Sequence, residues 1–111
     1  MAARSSRMLT QDILELLDAP EPAETTSFLE RLDATLTAGY AHALQLEAER
    51  RRLERRIGEI AAKLEDDGHG PDVDELAGLG RRLVSANENI VSLRRLLTDL
   101  RHRRTSIRQA A

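Results

Sequence analysis

The chain has 111 residues and a mass of 12.4 kDa, the size of one domain. Its formal charge is −2, its only aromatic residues are Phe28 and Tyr40, and it has no Cys. That balance argues against a general nucleic-acid binder, so few aromatics against a β-sandwich core or a base-stacking platform, and the lack of Cys excludes disulfides, thiol catalysis and zinc-thiolate sites.

From the N-terminus, residues 1–7 are polar and read as disordered. No signal peptide is visible behind Arg4 and Arg7, and no apolar run approaches the roughly 20 residues of a membrane span. The expected setting is cytoplasmic. Sixteen Arg against the single Lys63 point to a GC-rich bacterial genome.

Leu9, Ile13, Leu16 and Leu17 share one face of a short helix over residues 8–18, with Thr10 as its expected N-cap. Eleven residues are too few to be helical alone in water, so this segment must fold against something. Its own chain or oligomer is the favoured dock, over the alanines of the next helix, with its acids beside the C-terminal arginines. A groove on a foreign protein is the alternative. Pro20 and Pro22 stop the helix and make residues 19–26 a stiff acidic linker.

Ser27 and Glu30 form a capping box ahead of a long periodic run. Leu29, Leu32, Leu36, Gly39, Ala43, Leu46, Arg50, Leu53, Ile57, Ile60 and Leu64 recur at alternating steps of three and four, broken only by Gly39 and Arg50. This predicts a coiled-coil-type helix over residues 27–66. A turn at 67–72 follows, with Gly68 and Pro71 as its stop signals. Asp72 and Glu75 cap a second helix over 73–109, whose seam is Leu76, Leu79, Leu83, Ala86, Ile90, Leu93, Leu97, Leu100, Arg104 and Ile107. The short turn makes the two helices antiparallel, each roughly 55 Å long at ~1.5 Å per residue.

Charges flanking the seam agree. Folding the chain so that Leu64 meets Leu76 sets Glu47 against Arg94, Asp33 against Arg108 and Lys63 against Glu75; Arg56 against Arg82 is the one clash, and Gly39 faces Leu100. The predicted fold is all-α: residues 1–26 give a short amphipathic helix and linker, and 27–111 a long antiparallel helical hairpin.

A two-helix hairpin buries little, and further stripes show where more burial is available. Ala34, Ala38, Ala41 and Ala48 lie opposite the first seam, with Leu44 on a third side. Val73, Ala77, Gly80, Val84 and Val91, with Asn87 in line, form another stripe on the second helix. Ala is also simply a good helix former on a wet surface. The other reading is a second packing layer, supplied by the 9–17 helix, by another copy of the chain or by a foreign partner; the assembly expected is a second copy in a four-helix arrangement.

Candidate chemistry is sparse. Glu65, Asp66, Asp67, His69, Asp72, Asp74 and Glu75 cluster about the turn, but without the spacing of a calcium loop, and they read as a solvated turn. In outline, a long hairpin with acids at its tip is similar to bacterial regulators that insert a coiled coil into the secondary channel of RNA polymerase, where such acids help hold a catalytic metal. The likeness is one of shape. His42, His69 and His102 share no metal-ligand spacing, and no nucleophile elbow or phosphate loop is present. No metal, cofactor or catalytic residue is expected.

Of the basic clusters, Arg50 to Arg56 are neutralised by interleaved glutamates. The C-terminal one is the more credible contact patch. The expected function is therefore a non-catalytic protein–protein interaction or assembly module, forming a homodimer and possibly engaging another protein. Its expected contact residues are Leu9, Ile13, Leu16, Leu17, Ala34, Ala38, Ala41, Leu44, Ala48, Arg94, Arg101 and Arg104. The alternative is an adaptor or regulator of a nucleic-acid machine, acting through the Arg-rich end or the acidic tip.

Overall fold

The computed structural model describes residues 6–67 and 70–110, and the side chains of 7–65 and 73–110. Three α-helices hold every described residue outside 19–24: α1 (Ser6–Asp18), α2 (Thr25–Asp67) and α3 (Gly70–Ala110). No strand occurs among the described residues, and none of these helices is long and apolar enough to cross a membrane.

The helix boundaries depart from the sequence signals for local reasons. Thr10 does not cap α1, which already starts at Ser6, so Ser6 and Arg7 are helical where disorder was expected over 1–7; residues 1–5 of that stretch lie outside the described residues. Ser27 does not cap α2. The Glu24 carboxylate accepts from the Thr26 and Ser27 amides, at 3.0 and 2.8 Å, and from the Ser27 hydroxyl. With those first-turn donors satisfied, the helix begins two residues earlier than the Ser27 signal implied. Likewise α3 starts at Gly70, so Pro71 occupies its first turn, where a missing N–H leaves no hydrogen bond unmade. Gly68 and His69, the middle of the expected turn, lie outside the described residues, as do the side chains of Asp66, Asp67 and Asp72.

The chain divides into two compact units. The first joins α1, the early part of α2 and the late part of α3, as residues 1–43 and 92–111. Its buried residues include Leu9, Ile13 and Leu16 of α1, Phe28, Leu32 and Leu36 of α2, and Leu93, Leu97, Leu100 and Ile107 of α3. The second unit, residues 44–91, is a pair of helices. Its core is Leu53, Ile60, Leu79 and Ala86, with Ile57, Leu64, Leu76 and Leu83 packed against it. Every position of both predicted seams is buried or half-buried, including Arg50 and Arg104.

Partners ascend on α2 as they descend on α3. In the first unit Asp33 meets Arg104 and Tyr40 meets Arg101; in the second Arg50 meets Asn87 and Arg56 meets Glu75. The register differs from the sequence expectation. Asp33 pairs with Arg104 and not Arg108, and Gly39 faces Leu97 and not Leu100, each about one helical turn away. The glycine explains the shift. Without a Cβ at 39, the buried Leu97 side chain fills that space, and a Cβ there would collide with Leu97 Cδ2. In the second unit Arg56 is drawn to Glu75, at 3.1 Å, and to Glu59, at 3.6 Å, so the expected clash with Arg82 is replaced by an ion pair. The same pairing takes the Glu75 carboxylate that was expected to face Lys63.

Candidate functional site

The apolar face of α1 is already occupied. Leu9, Ile13 and Leu16 are buried and Leu17 is half-buried within the first unit. What holds the end of this helix is Arg103. Its Nη1 donates to the Leu17 carbonyl at 2.9 Å and its Nη2 to the Ala19 carbonyl at 2.6 Å and the Pro20 carbonyl at 3.4 Å. The Leu17 carbonyl is one that a helix leaves unmatched at its C-terminus, the other two lie just beyond the end of α1, and a cation there meets the negative end of the dipole. The guanidinium lies 5.5 Å over the Phe28 ring, within range of a cation–π contact. This hold on the end of α1 runs through backbone carbonyls, which charge matching alone does not point to.

The expected cover of the alanine stripe by α1 is not found. Ala34 and Ala41 are exposed and Ala38 is half-buried. The helix end sits instead by Phe28 and Arg103, which offer more apolar surface together with donors for its carbonyls. In the second unit Ala48 is half-buried and Leu44 is 63% exposed.

The Arg-rich end is largely engaged by its own chain. Arg101 Nη1 donates to the Tyr40 hydroxyl at 3.3 Å, Arg104 pairs with Asp33, and Arg94 is half-buried. At the acidic end, Glu75 is held by Arg56, and the hydrogen bond and charge of Glu75 raise the guanidinium's pKa further above its ordinary value. No group of three or more metal-ligating side chains that could hold an ion occurs among the described residues.

Surface grooves among the described residues include the following two. One, of about 710 Å³, runs beside the second unit's seam and is lined by Leu46, Glu49, Arg82, Ser85 and Asn89 among others. The other, of about 500 Å³, lies beside Leu17, Arg103 and Ile107 in the first. The feature with the clearest chemical sense is elsewhere on the second unit. Val73, Ala77, Gly80, Val84, Asn87 and Val91 run along one face of α3, and the three valines are 51%, 58% and 57% exposed. They are three of six large exposed hydrophobics among the described residues, and only these three fall in a periodic row.

No family model, curated protein or solved structure matches the chain.

The stripe was visible in the sequence as a 3.5-residue pattern, but so was the stripe of α2; exposure separates them by showing large apolar groups left on α3. Arg103, by contrast, carried no distinguishing signal among its arginine neighbours.

Proposed function

We propose that the protein is a non-catalytic assembly module, a long antiparallel helical hairpin that pairs with a second copy of itself into a four-helix arrangement. The observation that carries this reading is the exposed valine row of α3 in a unit of only two helices. A pair of helices has a narrow core, and an exposed apolar face at coiled-coil spacing is what a further helical layer would cover. Neither groove contains a histidine to activate Ser85 or Ser106, which favours binding over catalysis. Service as a regulator of a nucleic-acid machine is less favoured, because Arg101, Arg103 and Arg104 are spent on Tyr40, the carbonyls at and just after the end of α1, and Asp33.

Sedimentation equilibrium from micromolar to millimolar protein tests the reading. The expected mass at the upper end is that of two chains, against 12.4 kDa for one. Val84→Glu should hold the protein at one chain with its helicity unchanged, since burying an unpaired charge is far costlier than leaving it in water. A wild-type mass of one chain throughout the range overturns the proposal.

A further inference from the structure

Resting on that reading, we propose that the second copy docks on the valine face of α3 antiparallel to it and about a two-fold axis, in the register that sets Gly80 against Val91 of the second copy and Arg81 against its Glu88.

The face itself narrows the geometry. Gly80 lies in the middle of a helix, where glycine costs stability relative to alanine, and no atom stands within 4 Å of where its Cβ would be. Nothing in its own chain uses that space. A valine from a facing helix fits there as a knob over a notch. Two antiparallel registers place one over Gly80, using either Val84 or Val91 of the second copy.

The flanking charges choose between them. On one side the stripe is bordered by Leu83 and Ile90, which belong to the unit's internal seam. On the other stand Arg81 and Glu88, one heptad apart, both exposed, and neither with an ion-pair partner among the described residues. In an antiparallel pair this flank faces its own counterpart. Placing Gly80 against Val84 brings Arg81 up to Arg81 of the second copy, a like-charge contact. Placing it against Val91 brings Arg81 to Glu88, and the two-fold axis repeats the pair. Parallel packing turns the charged flank toward the Leu83 and Ile90 side and leaves both charges unmatched. One arrangement alone satisfies the notch and the charges together.

Cysteine pairing tests the register. Gly80→Cys and Val91→Cys proteins are prepared separately, then unfolded together and refolded under oxidising conditions. In the proposed dimer, positions 80 and 80, or 91 and 91, are eleven residues apart along the axis, roughly 16 Å, beyond the ~7 Å limit for a disulfide. Neither variant alone should form a covalent dimer, and the mixture should. The open space at Gly80 lets the first variant fold. Arg81→Glu should weaken dimerisation about tenfold, and Arg81→Glu combined with Glu88→Arg should restore it. Covalent dimers of Val91→Cys alone overturn the antiparallel geometry. A wild-type dimer by mass that gives no mixed cross-link, or no rescue by the double reversal, overturns the register while the assembly reading stands. A monomeric wild type overturns both.

Discussion

Position 39 shows how one missing side chain sets a register. Gly39 costs α2 about 1 kcal/mol in propensity relative to alanine, and the buried Leu97 occupies the room it leaves. Gly39→Ala regains the propensity but drives a methyl into Leu97 Cδ2, with Cγ and Cδ1 in ordinary contact at 3.4 and 3.5 Å, so the buried Leu97 must turn against its packed neighbours to make room. Overpacking of this kind costs ~1–3 kcal/mol. The expected net result is a loss of about 1 kcal/mol in urea unfolding. Gly58→Ala is the control: nothing lies within 4 Å of a Cβ there, and it should gain about 0.5–1 kcal/mol. Equal gains at both positions would show that α2 and α3 do not approach closely at Gly39. Arg103 carries a second residue-scale prediction. Arg103→Met keeps the apolar stem over Phe28 but removes the donors to the Leu17 and Ala19 carbonyls. Charge-assisted hydrogen bonds contribute about 1.5–3 kcal/mol, so a loss near 2 kcal/mol is expected, with faster amide exchange in α1.

At the scale of elements, the first turn of α2 is held by a carboxylate. Accepting from the Ser27 hydroxyl and amide and from the Thr26 amide holds the Glu24 pKa below its ordinary value of 4.5. A group whose folded pKa is depressed contributes stability that is present above its unfolded pKa and lost as pH falls through the folded one. Wild type should therefore exceed Glu24→Gln in stability at neutral pH, and the gap should close as pH drops below 4.5. A gap that does not change with pH would mean the carboxylate charge plays no part in the cap. This cap also marks where sequence reasoning stopped. Helix existence and core faces were legible, because seams at steps of three and four leave little freedom: Leu32, Leu53, Ile60, Leu79 and Leu100 are all buried as expected. Helix starts were not, since Glu24 and Ser27 are both acceptable caps and local geometry decides between them. The register in the first unit was hidden as well. It was extrapolated from Leu64 against Leu76, while Gly39 and Leu97 determine it directly. Phe28 was missed as core because it lies outside the seam; in the structure it is buried with the Arg103 guanidinium over its ring.

For the whole molecule, the strength of the proposed pairing can be bounded. Val84 and Val91 are each more than half exposed, so covering them contributes roughly 1 kcal/mol apiece, on the order of 4 for the two copies. The Arg81–Glu88 pairs add less than ~1 kcal/mol each at an exposed edge. Loss of translational and rotational freedom costs at least ~4 kcal/mol. These terms alone leave a surplus of about 2 kcal/mol or less, whereas a dimer half-formed between micromolar and millimolar protein needs about 4–8 kcal/mol, so the rest must come from the other stripe and flank atoms that the second copy covers. Such a dimer links stability to concentration, because a partner that binds only the folded chain stabilises it by mass action, by up to about 2.7 kcal/mol for a hundredfold excess over Kd. The melting temperature of the wild type should then climb by several degrees across that concentration range, and that of Val84→Glu should stay flat. Calorimetry at a series of concentrations reads this directly. A flat wild-type curve together with a monomeric mass would mean that the valine row faces water, and that the two-helix unit stands on its internal seam alone.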